Sequence, residues 1–112
     1  MNKLSVFVNN ELVFEYDRDI SLEEQQLTFL DKMDADMAKG IKIQGELVKT
    51  PDEQQRLTFM VMNLIKGLKQ DNEAVISSSS AYLINRRPAL IEVHVNDADK
   101  GLVIDFNDEQ LN

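Results

Sequence analysis

Side chains able to do chemistry are sparse in this chain, and their spacing argues against most reactions. The sharpest basic feature is Arg86-Arg87-Pro88. Two guanidinium forks in succession can hold a carboxylate or a phosphate through paired hydrogen bonds, so Arg86 and Arg87 are the candidate contacts for a small anion. The same arginines at the end of a helix also complement its dipole, a role that requires no ligand.

His94 is the only histidine, which removes His-His metal pairs and argues against a histidine relay. It alternates with Glu92 on a strand-like run, on the solvent side. Glu92, Asp105 and Glu15 can converge on that side, but acid–base catalysis needs a cleft as well as carboxylates, and the sequence predicts none. Asp97-Ala98-Asp99-Lys100-Gly101 imitates the start of a calcium loop. With Asp97 as first ligand, Leu102 falls where glycine is required and Asp108 where a bidentate glutamate belongs, so a hairpin turn explains the run better. The four serines at 77–80 lack the flanking glycines of a nucleophile elbow. There is no cysteine, hence no disulfide, thiolate ligand or thiol nucleophile. No catalytic residue, metal site or cofactor is expected.

What must position these residues is legible from periodicity. Leu4, Val6, Val8 and Leu12, Phe14, Tyr16 alternate across Asn9-Asn10-Glu11, a hairpin signature. Setting the two groups on one face pairs Val8 with Leu12 and leaves a three-residue turn, with a slipped register as the alternative. Phe7 and Val13 then occupy the other face. Ser21 with Glu24 reads as a capping box opening a helix over 22–39, in which Leu30, Met33 and Met37 keep helical spacing and Leu27 and Phe29 widen the apolar side. Thr50, Pro51 and Glu53 open a second helix, whose stripe is Leu57, Met60, Val61, Leu64, Ile65 and Leu68. Phe59 and Met62 lie off that stripe.

Between these helices, residues 41–49 alternate only in part, and an extended connection is favoured over a short strand. Residues 71–87 are expected to form a third helix ended by Pro88; the competing arrangement is two strands, at 74–77 and 81–85, around a serine turn. Ile91, Val93, Val95 and Leu102, Ile104, Phe106 form a second hairpin with an even loop, pairing Val95 with Leu102 and leaving Val103 on the opposite face. Residues 107–112 are polar and expected to fray. The repeated EEQQ-LTF at 23–29 and DEQQRLTF at 52–59 is attributed mainly to matching helix starts rather than to a duplication.

With 112 residues, the chain is long enough for a single domain, 1–112. The expected fold is α+β and two-layered, β-β-α-α-α-β-β, with an antiparallel sheet from N- and C-terminal hairpins covered on one face by two or three helices.

The net charge is −8, and it is uneven: nine acids face four bases in residues 1–40, five face seven in 41–87, and six face one in 88–112. Such a surface disfavours direct nucleic-acid binding, which needs clustered cations. The N-terminus lacks a secretory pattern and no apolar run approaches twenty residues, so no membrane association is expected and the cytoplasm is the expected location. The function expected is that of a small acidic interaction module, a homodimer or an adaptor, using apolar residues left outside the core: Phe7, Val13, Val103, Phe59 and Met62. The alternatives are an acidic inhibitor or regulator occupying a basic site on a partner, and a small-anion-binding protein or enzyme using Arg86 and Arg87.

Overall fold

In the computed structural model, which describes residues 2–99 and 101–110, the N-terminal hairpin is closed by Asn9 and Asn10. Both take left-handed conformations, φ 51° and 69°, which asparagine tolerates better than most residues. This two-residue turn joins β1 (Lys3–Val8) to β2 (Glu11–Asp17) and replaces the expected three-residue one. Leu4 faces Tyr16 and Val6 faces Phe14 as expected, but Phe7 then faces Leu12 and Val8 faces Glu11. The shorter turn is absorbed by a bulge in which Val13 is the extra residue, so Leu12 changes faces.

The C-terminal hairpin, β5 (Leu90–Ala98) with β6 (Gly101–Asp108), has the even loop expected of it, but its register is shifted by two residues. Val95 faces Ile104 and Asp97 faces Leu102. A shift of two preserves the face of every side chain. The expected turn residue Lys100 and the last two residues of the expected frayed tail lie outside the described residues. Strand β6 runs on through Asp108, and the next N–H, of Glu109, donates to Ala89 O at 2.6 Å.

The two hairpins join in a four-stranded sheet of order β2-β1-β5-β6, each hairpin antiparallel and the central β1–β5 pair parallel. One face is buried through Leu4, Val6, Val93 and Val95. Arg18, just past β2, ties the edges of this unit together. Its side chain is only 8% exposed; it donates to Asn2 Oδ1 at 2.5 Å and to Pro88 O at 2.7 Å, and lies 3.5 Å from Glu109. This unit takes both ends of the chain, up to Ile20 and from Ile84 onward.

The second unit is Ser21–Leu83. It holds α1 (Glu24–Met37), β3 (Ile41–Ile43), β4 (Glu46–Val48), α2 (Glu53–Gln70) and most of α3 (Glu73–Arg86). The third helix is therefore formed, and the two-strand alternative for this segment is not. The segment favoured as an extended connection is instead the hairpin β3–β4, pairing Ile41 with Val48 and Ile43 with Glu46 across Gln44 and Gly45, both at positive φ.

Both helix starts lie two residues later than the Ser21 and Thr50 caps predict. Glu23 caps α1 with Gln26 as its reciprocal partner, and Asp52 caps α2 with Gln55. The echo between the two segments is thus a pair of acid-x-x-Gln capping boxes, each satisfying two backbone N–H groups. Helices α2 and α3 approach closely at Gly67, where a Cβ would lie 3.0 Å from Val75 Cγ1. The Tyr82 hydroxyl donates to Asp34, whose carboxylate also lies 3.4 Å from Arg56. Ser79 and Ser80 are buried on α3, and the Ser80 hydroxyl has no hydrogen-bond partner.

Candidate functional site

Alternation in the strands of the first unit determines which residues share the sheet's open face. Because Leu4, Val6, Val93 and Val95 point into the buried face, Phe7 and His94 point out of the other, together with Val103 and Asp105. The parallel register sets Phe7 directly beside His94. Phe7 faces Leu12 on its other side, and His94 faces Asp105. A row Leu12–Phe7–His94–Asp105 therefore crosses all four strands, a span of about 14 Å at the usual strand separation. Val13 sits beside Leu12 in the bulge, and Val103, opposite Asn96, flanks the row.

The middle of the row is a pair of stacked rings. The Phe7 and His94 rings stack with centroids 4.5 Å apart and planes within 2°. His94 Nε2 lies 3.2 Å from Glu92 Oε1, which also accepts from Asn107 Nδ2 at 3.4 Å. The turn is held as well. Asn9 donates its backbone N–H to Val95 O at 2.8 Å. Its side chain accepts from the Asp97 N–H at 2.9 Å and donates to the Asp97 carboxylate at 3.2 Å.

The flanks of the row are open. Leu12, Val13 and Val103 are 48, 44 and 48% exposed. Of the five residues singled out from sequence, Phe7, Val13 and Val103 thus share one face. Phe59 and Met62 lie on α2 in the other unit, each half-buried. Leu12 was missed because alternation alone places it inward, although Asn9-Asn10, two residues that tolerate positive φ, was a readable signal for the shorter turn. Leu27 and Phe29 do not extend the buried side of α1 as expected. Leu27 is 37% and Phe29 52% exposed, because only Leu30 and Met37 on that helix are buried.

Electrostatically the open face is acidic. Among the described residues, its strand positions carry Glu15, Asp17, Glu92 and Asp105 against Lys3, with His94 between them. The carboxylates predicted to converge around His94 are on one face. On the opposite face, burial raises the Tyr16 phenol above its ordinary pKa, and the adjacent Asp17 charge adds to the effect.

Arg86 is the last residue of α3. Arg87 grips a carboxylate of its own chain, with Nε and Nη2 at 2.8 and 3.0 Å from the two Asp108 oxygens, and its guanidinium lies 5.3 Å from the Phe106 ring centre. Among the described residues, no group of three or more His, Asp or Glu side chains is placed to hold a metal. No helix among them is long and apolar enough to cross a membrane. Comparison with known proteins gives no matching family model, no matching curated protein and no matching solved structure.

Proposed function

We propose that the chain is a small acidic interaction module that associates with another polypeptide through the open face of its four-stranded sheet. One observation carries this reading: Leu12, Val13 and Val103 remain about half exposed on either side of the Phe7–His94 stack. Apolar side chains spread across one sheet face, with charges at the margin, resemble the centre and rim of a protein interface. Without cysteine, the module is compatible with a reducing cytoplasm, where we place it. The small-anion reading ranks lower, because the Arg87 fork already holds Asp108.

Light scattering after size-exclusion chromatography and affinity purification from the native host test the proposal. The parent protein is expected to be dimeric or to retain a partner, and Leu12→Ser with Val103→Ser to abolish either without changing the circular dichroism spectrum. A monomer that retains nothing would defeat it, as would retention unaffected by the two substitutions.

A further inference from the structure

The chemistry of the open face also bears on what occupies it. We propose, resting on the reading just given, that the occupant is a basic segment of a different protein, with apolar side chains at its centre and lysines or arginines on either side.

The argument is one of charge complementarity around the row and the apolar side chains that flank it. At the ends and margins of the row stand Glu15, Asp17, Glu92 and Asp105, with Lys3 as the one ammonium at the strand positions described. In an isologous dimer the same patch supplies both sides. A second copy laid face to face would therefore set four carboxylates against four, around a centre that excludes water. Like charges brought together across a desolvating interface oppose association, whereas opposite charges speed encounter and fix register. A cationic segment meets both demands: its apolar side chains cover Leu12, Val13 and Val103, and its cations reach the surrounding carboxylates. Nucleic acid and anionic lipid headgroups carry the wrong sign.

The probes are three synthetic peptides of equal length and the same apolar pattern. Their polar positions are all lysine and arginine, all glutamine, or all glutamate. Fluorescence anisotropy against the full chain is expected to show binding of the cationic peptide, at least tenfold weaker binding of the glutamine peptide, and none of the glutamate peptide. Affinity for the cationic peptide should fall about tenfold on Glu15→Lys with Asp105→Lys, and comparably on Leu12→Ser with Val103→Ser. The control is Asp36→Lys with Glu46→Lys, which changes net charge equally but lies on exposed positions of the other unit. It should leave affinity within twofold.

Equal loss in the control would overturn the proposal, since binding would then follow net charge alone. Failure of the cationic peptide to bind, together with a dimer dissociated by Leu12→Ser and Val103→Ser, would replace the basic partner with a second copy while leaving the interaction face intact. Failure to bind in a strict monomer that retains no partner would remove both.

Discussion

Asn9 and Asn10 occupy the same turn with the same backbone handedness, yet glycine should affect them differently. Either replacement frees a residue from the left-handed strain of an L side chain and raises the entropy of the unfolded chain. These two effects are nearly equal at the two sites and cancel on comparison. What differs is the tether: Asn9 exchanges two side-chain hydrogen bonds with Asp97. At about 0.5–1.5 kcal/mol each, taken at the low end because the site is exposed, they amount to about 1–2 kcal/mol. Asn10→Gly should therefore lie within about 0.5 kcal/mol of the parent, and Asn9→Gly about 1–2 kcal/mol below Asn10→Gly. In thermal unfolding followed by circular dichroism the gap is roughly 4–8 °C. In an Asp97→Ala background it should shrink by about half, since the carboxylate has gone while the backbone N–H of residue 97 still donates to Asn9 Oδ1. Equal stability of the two glycine variants, or a gap undiminished by loss of the Asp97 side chain, would refute the assignment of that energy to the tether.

Two further outcomes follow from groups described above. Ser80→Ala should raise stability by about 1 kcal/mol or more in urea unfolding, because the buried hydroxyl desolvates without gaining a hydrogen bond; a loss would mean that the hydroxyl is satisfied in solution. Tyr16, whose pKa is raised by folding, binds its proton more tightly in the native state, so its contribution is fully present below about pH 10, the unfolded value, and is lost as pH rises through the folded one. Stability measured from pH 9 to 11 should therefore decline less steeply in Tyr16→Phe than in the parent, and identical slopes would contradict the assignment.

The terminal hairpins and the first two helices were legible because each carries its own period: alternation in residues 3–17 and 89–108, and three-four spacing in the stretch around Leu57 and Leu64. The third helix is favoured over two strands on weaker spacing. Period fails where a local event shifts phase or an element is too short to show one. The Val13 bulge breaks the alternation that would place Leu12 inward. Strands of three residues around Gln44-Gly45 give too few positions to separate a hairpin from a connection. The caps were misplaced because Ser21 and Thr50 overlap a competing acid-x-x-Gln box, and Glu23 and Asp52 are used in their stead. Alternation did place Phe7, Val13 and Val103 on the outward side. That Phe7 stacks on His94 was not legible at all, since the two strands meet through a pairing remote in sequence, and no local pattern says which strands become neighbours.

That remote pairing also bears on how the protein is made. Residues Ser5 to Val8 find their central partner only in Glu92 to Val95, so during synthesis the first hairpin leaves the ribosome long before the strand that completes it. In the interval Leu4 and Val6, which end fully buried, have no sheet to enter, while the intervening helices can form from local contacts. Maturation should thus start with the helices between the two strands, its last event joining β1 to β5, and a nascent chain stalled before Glu92 should be the species that most engages chaperones.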